Sequence, residues 1–449
     1  MRIKLKGARK IKTLTGFGGS ACWWSTALAD EKKREDIAEL LYGDSGLGLN
    51  IYRYNVGGGF EKGNVRVDNP WRVIESFMNE DGSFDYSRDE NAVKTMDACL
   101  KKGNVDTLIF FVNSPHFSHL VTRQTSGGFE EHFSNLRKDC YGKFASYLID
   151  IAEHFISEGY PVKYISPINE PQWKWGGDYV WQEGCHYEPE EVRDCFKAFA
   201  NELEKRKSPL LLYGPESGSI DDNRTKEYYK LLESEPLIMK YLDTFAYHSY
   251  HSDNRVSDKV DFGKWAKRNI KTPHLDMSEW CELPCKHNTE DIVGTLIIAR
   301  IIGEDLIYSG AESWTAWVCI NQMGTYRDGG IYSDGLLHAT DDFSEYHIAK
   351  RYYAMAHYSK YIPAGSVSLD LGYMSARGFS LFAFKRPDGA YALIAVNNSR
   401  AKRCAEPDIK FTQAQVITST QDSQLKEYIT EKTDKISIEP MSVSTIILR

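Results

Sequence analysis

The chain alternates short, β-rich apolar runs with longer segments of helical periodicity, and this alternation limits the folds open to it. Eight runs are candidate strands: residues 12–17, 48–54, 106–113, 163–169, 210–215, 244–249, 274–278 and 313–319. Strands that alternate with helices are typical of βα units with parallel strands. We therefore predict an α/β protein. Eight consecutive units favour a (β/α)8 TIM barrel over an open sheet, although strand counting leaves closure open.

The pattern changes after about residue 361, where short strands follow one another without helices. Residues 379–385 and 390–397 flank an Arg-Pro-Asp-Gly turn, in which proline presets φ and glycine permits a positive φ. We predict a catalytic barrel over residues 12–360, with a small antiparallel β-sandwich built from 361–449 and the N-terminal strand in 1–11. The 449 residues suffice for this pair, although three domains of about 150 residues would also fit the length.

Charge and hydropathy exclude several classes of protein. The net charge of −8 disfavours nucleic acid or an anionic membrane as the main partner. The longest apolar runs are too short for a membrane-spanning helix. The first ten residues are basic but lack the apolar core of a signal peptide, so we expect a cytoplasmic protein, or a secreted one if the sequence has been trimmed. The sequence does not indicate the oligomeric state.

Motifs for cofactor and nucleophile chemistry are missing from the sequence. The nucleotide-binding patterns G-x-G-x-x-G and Walker A do not occur, nor does the nucleophile elbow G-x-S-x-G. The nine cysteines are an odd number in a large chain, which predicts reduced thiols. Cys281 and Cys285 are spaced wrongly for a redox pair and too few for a zinc site, and their role is open. We expect neither a metal nor an organic cofactor.

Function in a (β/α)8 barrel is located at the C-terminal ends of the strands. Polar side chains stand at these predicted ends, namely Arg53, Asn113, Asn169, Glu170, Glu216, His248, Tyr250 and Glu279. Glu170 and Glu279 follow the fourth and seventh strands, which lie on opposite sides of a barrel, so their carboxyl groups can face each other. Glycoside hydrolases use such a pair of carboxyl groups, of which one is protonated and the other ionised. Glu216 and Glu312 are predicted to be solvated loop residues.

Tryptophans concentrate near the same strand ends. Eight of the ten lie at or just after a predicted strand: Trp23, Trp24, Trp173, Trp175, Trp181, Trp280, Trp314 and Trp317. An indole ring packs on the apolar face of a sugar ring. This distribution therefore favours a carbohydrate-binding cleft over a random distribution of tryptophans in the core. We predict Trp24, Trp173 and Trp317 as binding platforms, with burial in the core as the alternative for each.

Four segments together resemble glycoside hydrolase family 30: GFGGSACWWS, RYNVGGG, SPINEPQWKW and the late SEW. The resemblance implies a retaining double displacement without a cofactor. It implies that Glu170 is the general acid/base and Glu279 the nucleophile. It also implies that Arg53, His248 and Tyr250 support the nucleophile, and that Asn169 and Trp317 bind the sugar. From their positions near strand ends we further predict that Asn113, Trp24 and Trp173 bind the substrate.

The segment NEPQWKW, followed by QEGCHY at residues 182–187, resembles most the β-1,6-galactanase branch of that family. This resemblance implies hydrolysis of β-1,6-galactan or β-1,6-galacto-oligosaccharides. Other β-glycans remain open as substrates, namely glucuronoxylan, β-1,6-glucan, β-glucosides, β-xylosides and β-fucosides. Transglycosylation and a non-catalytic carbohydrate-binding role also remain open, as do exo against endo action and chain-length preference.

Overall fold

The computed structural model describes residues 1–178, 181–283, 288–323, 334–376, 378–431 and 435–449. Cys285 lies outside these residues. Two short strands come first, β1 (Arg2–Ile3) and β2 (Arg9–Thr13). Both belong to the sheets of the C-terminal half, where β1 pairs with residues 406–407 and β2 with residues 367–370.

A closed barrel of parallel strands follows. Its strands are β3 (Gly16–Ser20), β4 (Ile51–Asn55), β5 (Thr107–Phe111), β6 (Val162–Ser166), β7 (Leu211–Ser219), β8 (Leu242–Tyr250), β9 (His274–Trp280) and β10 (Ser313–Ala316). Each strand pairs with the next in chain order, and β10 pairs with β3 to close the ring. The predicted (β/α)8 barrel is thereby confirmed, including the closure that counting strands left open.

Helices surround the barrel. They are α1 (Trp24–Ala27), α2 (Glu31–Tyr42), α3 (Glu90–Leu100), α4 (Tyr141–Ser157), α5 (Pro189–Arg206), α6 (Arg224–Glu233), α7 (Pro236–Tyr241), α8 (Val256–Asn269), α9 (Ile292–Glu304) and α10 (Arg351–Ser359). In α4, Phe144, Leu148 and Ile151 are fully buried because their spacing puts them on one face. Among the described residues, no helix is long and apolar enough to cross a bilayer.

The first barrel strand begins later than its sequence pattern predicts. Residues 12 and 13 end β2, in the C-terminal sheet, and the barrel strand β3 starts at Gly16. Because β3 is rich in glycine, a search for apolar runs does not locate its start. These glycines are required because neighbouring atoms pack closely against them. A Cβ atom on Gly18 would lie 2.7 Å from the Thr315 hydroxyl, and one on Gly19 would lie 2.1 Å from the Cys319 sulfur.

The C-terminal half forms three further sheets. The strands β11 (Ile320–Gln322), β12 (Leu337–Ala339) and β13 (Tyr346–Ile348) make a small sheet beside the barrel. The others are β14 (Val367–Asp370), β15 (Ser375–Ala376), β16 (Phe379–Lys385), β17 (Tyr391–Asn397), β18 (Arg403–Pro407), β19 (Gln413–Ser419), β20 (Lys426–Glu431), β21 (Ile436–Ile438) and β22 (Ser442–Leu448).

Two of these sheets enclose a second apolar core. The larger has the order β2-β14-β16-β17-β22-β19-β20 with β15 on β16, and the smaller is β1-β18-β21. Ile3, Leu393, Ile436 and Ile446 are buried between them. The predicted β-sandwich is confirmed, with two N-terminal strands, β1 and β2, where one was predicted. Its pairs are antiparallel except for β1 with β18, which run parallel.

Candidate active site

Ionisable side chains from several strands converge at the C-terminal end of the barrel. Strand β4 supplies Arg53, β7 supplies Glu216, β8 supplies His248 and β9 supplies Glu279. Glu170 follows β6. The structure thus brings together groups that are up to 226 residues apart in sequence.

Arg53 is the centre of this cluster and is fully buried. Its Nη1 donates to Glu279 Oε2 at 2.9 Å, while its Nη2 donates to Glu216 Oε2 at 2.7 Å and to Asn169 Oδ1 at 2.9 Å. The guanidinium also lies 3.4 Å from the centre of the Phe111 ring. A buried charge is stable only when it is paired, and here one cation is shared by two carboxylates.

His248 joins three carboxyl groups and is also fully buried. Its Nδ1 lies 3.1 Å from Glu170 Oε1 and 3.6 Å from Glu279 Oε1, and its Nε2 lies 3.3 Å from Glu216 Oε2. Burial alone would lower the pKa of His248. The charge of Glu279 and the hydrogen bonds to the other two carboxylates raise this pKa to about 9, so the imidazole is a cation near neutral pH.

Glu216 is fully buried, and its prediction as a solvated loop residue is wrong. Strand β7 continues to Ser219, beyond the predicted end at residue 215, and carries Glu216 into the barrel. Burial would raise the pKa of Glu216, but Arg53 and His248 lower it to about 2. The same prediction is wrong for Glu312, which is buried before β10 and pairs with Lys12 and His274 at the opposite end of the barrel.

The two predicted catalytic glutamates lie close together. One carboxylate oxygen of Glu170 and one of Glu279 are within 4.8 Å of each other. The Tyr250 hydroxyl donates to Glu279 Oε1 at 3.2 Å. Burial raises the pKa of Glu279 to about 7; His248 and Arg53 lower it only partly, and the charge of Glu170 adds to the rise.

The backbone around Glu170 is held in an uncommon conformation. Glu170 has φ 47° and Glu216 has φ 52°, both in the left-handed region, which costs free energy in residues other than glycine. The peptide N–H of Glu170 donates to the carbonyl of Glu216 at 2.9 Å, and the Trp175 indole donates to the carbonyl of Glu170 at 2.9 Å. These hydrogen bonds keep the Glu170 carboxyl directed at the cleft.

The same cluster meets the distance requirement for a metal site. One atom each from Glu170, His248 and Glu279 lie within 4.8 Å of one another. The donor chemistry is a poor match, because a protonated imidazole has no free lone pair and His248 already bonds carboxylates through both nitrogens. Arg53 supplies the positive charge that a metal ion would otherwise bring.

The predicted amide residues form a chain behind the glutamates. Asn169 Nδ2 donates to Asn113 Oδ1 at 3.1 Å, and Asn113 Nδ2 donates to Asn55 Oδ1 at 3.1 Å. Asn113 and Asn169 are only 2% and 3% exposed. Asn113 therefore lies where it orients Asn169, whereas Asn169 stands next to the carboxyl pair.

The predicted tryptophan platforms differ in their positions. Trp317 borders the cleft and packs edge-on against Trp23, with ring centres 5.0 Å apart. Trp173 is 36% exposed and stacks on His251 at 5.7 Å. The prediction for Trp24 is wrong: this side chain is fully buried, and its indole donates to the carbonyl of Ser20 at 3.0 Å.

The cleft has a volume of about 290 Å³ and extends from the carboxyl pair to the exposed indole. Its lining includes Glu170, Glu279 and Tyr250 together with Trp173 and His251. Aromatic walls with a few polar groups suit a ligand that is both flat and hydroxylated.

A (β/α)8 barrel with two carboxyl groups facing each other at its C-terminal mouth is typical of glycoside hydrolases. Residues 1–332 match the model of O-Glycosyl hydrolase family 30. Because the match covers most of the chain, the chain belongs to this family, as the sequence resemblance predicted.

Three similar proteins illustrate the range of relatives. An endo-beta-1,6-galactanase of Hypocrea rufa is 26% identical in an alignment 220 residues long that covers 43% of this chain and 44% of that protein. A putative glucosylceramidase 3 of Caenorhabditis elegans is 22% identical in an alignment 384 residues long that covers 81% of this chain and 69% of that protein. A conserved exported protein from Bacteroides fragilis has the same fold over 100% of both chains, with a TM-score of 0.88 at 21% identity.

Proposed function

We propose that the protein is a retaining β-glycoside hydrolase, with Glu279 as the nucleophile and Glu170 as the general acid/base. The observation that carries this proposal is the approach of the two carboxylates to within 4.8 Å. Retaining enzymes have carboxyl groups about 5–5.5 Å apart, whereas inverting enzymes need roughly 6.5–9.5 Å to admit a water molecule between carboxyl and sugar.

The first displacement forms an ester between enzyme and sugar. A Glu279 oxygen attacks the anomeric carbon while Glu170 gives its proton to the leaving glycosidic oxygen, so the C–O bond to the leaving group breaks as the new one forms. In the second displacement Glu170 takes a proton from water, the water oxygen attacks the same carbon, and Glu279 is released. Two inversions leave the product with its original configuration.

The surrounding cations make this chemistry possible in a buried site. Arg53 and the Tyr250 hydroxyl hold the Glu279 carboxylate in place for attack. Cationic His248 lies against Glu170, with Nδ1 3.1 Å from Oε1, where it orients this carboxyl in both displacements. Glu216 balances both Arg53 and His248, which keeps the cluster from carrying an excess of positive charge.

We propose β-1,6-linked galactose chains as the substrate. Support comes from the galactanase relative and from the segment at residues 182–187, which resembles that branch. Exposed Trp173 also lines the cleft, and a second sugar unit would stack on its indole ring. A β-glucoside is the alternative, because the putative glucosylceramidase aligns with a larger share of the chain.

An assay of sugar release from a panel of substrates tests both the proposed mechanism and the proposed substrate. The panel holds β-1,6-galactan, β-1,6-galactobiose, β-1,6-glucan, glucuronoxylan and glucosylceramide, together with aryl β-galactoside, β-glucoside, β-xyloside and β-fucoside. We expect galactose or its oligomers from β-1,6-galactan, with no product from Glu279→Ala. Release from another substrate alone would reject the galactan proposal and keep the mechanism. If NMR shows that the first product formed is the inverted anomer, the retaining mechanism is rejected.

A further inference from the structure

Glu183 is a buried carboxyl group that the proposed chemistry does not use. It is 1% exposed, in the galactanase-like segment at residues 182–187. Its Oε1 accepts a hydrogen bond from the Gly58 peptide N–H at 3.1 Å. Its Oε2 is buried without a hydrogen-bond partner, and no described lysine, arginine or histidine forms an ion pair with this carboxyl.

Gly58 belongs to a tight loop that follows β4, the strand that carries Arg53. The Tyr147 hydroxyl donates to the carbonyl of Gly57 at 2.8 Å, and the carbonyl of Gly58 accepts from Phe117 N at 2.9 Å. A Cβ atom on Gly58 would lie 2.7 Å from the Pro115 carbonyl oxygen, so only glycine fits. Glu183 is thus one of a few groups that hold the end of β4.

Glu183 also lies at the start of a chain of amides that leads to the carboxyl pair. The Asn55 side chain is its neighbour: the Asn55 Nδ2 is likewise buried without a hydrogen-bond partner, and this amide lowers the pKa of Glu183. From Asn55 the hydrogen bonds continue through Asn113 to Asn169. Asn169 Oδ1 then accepts from Arg53, which contacts the proposed nucleophile.

We infer that Glu183 is a positioning residue, a neutral carboxylic acid that holds Gly58 and Asn55 and thereby orients Asn169 and Arg53 for the hydrolysis. The inference rests on the proposed function for its activity readout. An uncharged acid is both a donor and an acceptor, so it suits a site that supplies one N–H donor and no cation. An ionised carboxyl would be an acceptor only, in a buried place without a counter-charge.

The charge state follows from the surroundings. Burial raises the pKa of Glu183 to about 8, and the Gly58 peptide N–H together with the nearby Thr125 and Asn55 side chains offsets only part of this rise. Asp89, at the start of α3, adds to the rise when it is charged, and burial raises its own pKa to about 7. The Cys22 thiol and the Tyr147 phenol also interact with Glu183, and burial raises the pKa of both.

The test compares pH profiles of kcat/KM for wild type and Glu183→Gln, a variant that is neutral at every pH. The substrate is the dinitrophenyl glycoside of the sugar that the panel identifies, since its leaving group needs no proton from Glu170. We expect wild-type activity to fall from about pH 8. In Glu183→Gln the fall should begin only near pH 9, where His248 loses its proton. Activity at neutral pH should stay within roughly threefold of wild type.

Two further variants separate positioning from general stability. Glu183→Ala removes both contacts, and we expect kcat/KM to fall by roughly tenfold or more at every pH, because small misplacements of catalytic groups are costly. Glu312→Gln changes a buried carboxyl at the far end of the barrel and should leave the profile unchanged. Circular dichroism checks that each variant is folded.

An infrared readout keeps this inference separate from the proposed function. At neutral pH the wild type should show a protonated-carboxyl C=O band that Glu183→Gln lacks and that disappears above about pH 8. Identical spectra, or identical high-pH limbs in the two proteins, would overturn the role of Glu183. A wild type that is silent on every glycoside, yet shows this band, would overturn the proposed function and leave the neutral Glu183 standing.

Discussion

The charge of Glu216 can be removed with little change in shape by the substitution Glu216→Gln. In the structure this carboxylate is fully buried and accepts from Arg53 at 2.7 Å and from His248 at 3.3 Å. The variant leaves two buried cations with one balancing charge fewer. We therefore expect a loss of stability together with an altered pH dependence of activity.

The size of the stability loss follows from the pKa of the group. Arg53 and His248 lower the pKa of Glu216 from its ordinary value of 4.5 to about 2, against the effect of burial. One pKa unit corresponds to about 1.4 kcal/mol, so the ionised carboxylate stabilises the fold by about 3 kcal/mol. Removal of one partner from a buried ion pair costs a similar amount, about 3–5 kcal/mol.

Urea unfolding followed by tryptophan fluorescence measures this difference at several pH values. Because the folded-state pKa is depressed, the stabilisation is fully present above pH 4.5 and is lost as the pH falls towards 2. The gap between wild type and Glu216→Gln should thus be about 3 kcal/mol at neutral pH and shrink in acid. Glu90→Gln, which breaks an exposed pair with Lys94, should cause no measurable change.

The same variant should also shift the activity profile. The charge of Glu216 raises the pKa of Glu279, so its removal should lower that pKa from about 7 and extend activity on activated glycosides to lower pH. A variant as stable as wild type at neutral pH, or a stability gap that does not change with pH, would refute the role given to Glu216. An unchanged acid limb would refute its coupling to Glu279.

Four further single variants give measurable outcomes. Glu279→Ala should be inactive, and added azide should restore turnover of activated glycosides to a glycosyl azide of inverted configuration, identified by NMR. Glu170→Gln should slow natural glycosides far more than dinitrophenyl glycosides. With dinitrophenyl glycosides, wild-type activity should fall as the pH drops through about 7, and the activity of Glu170→Gln should fall only at a lower pH. The reason is that the charge of Glu170 raises the pKa of Glu279. Trp173→Ala should raise KM for oligosaccharides roughly two- to tenfold without a change in stability, whereas Trp24→Ala should lower the free energy of unfolding by about 3–5 kcal/mol.

The sequence by itself determined the architecture and the proposed catalytic pair. Alternating periods of helix and strand are local properties, so they are readable without tertiary contacts. Once eight such units indicate a barrel, the end of each strand falls on a known face. Glu170 and Glu279 could be selected because they follow the predicted fourth and seventh strands, which lie on opposite sides of a barrel.

Only the tertiary structure decided which other side chains join that pair. Glu216 looked like a solvated loop residue because its strand ends four residues later than the apolar run suggests. Its burial depends on Arg53 and His248, which are 163 and 32 residues away in sequence. The sequence does not indicate the burial or the role of Glu183, since Gly58 and Asn55 become its neighbours only in the folded chain.

Two neighbouring tryptophans also show that the sequence alone does not determine which side chains face the cleft. Trp23 and Trp24 are adjacent, and sequence position gives no reason to separate them. In the structure Trp23 packs against Trp317 beside the cleft, while Trp24 lies in the core. Whether a side chain faces the substrate or the interior depends on the direction of the backbone and on the neighbours that cover it, and neither is encoded within a few residues of the side chain itself.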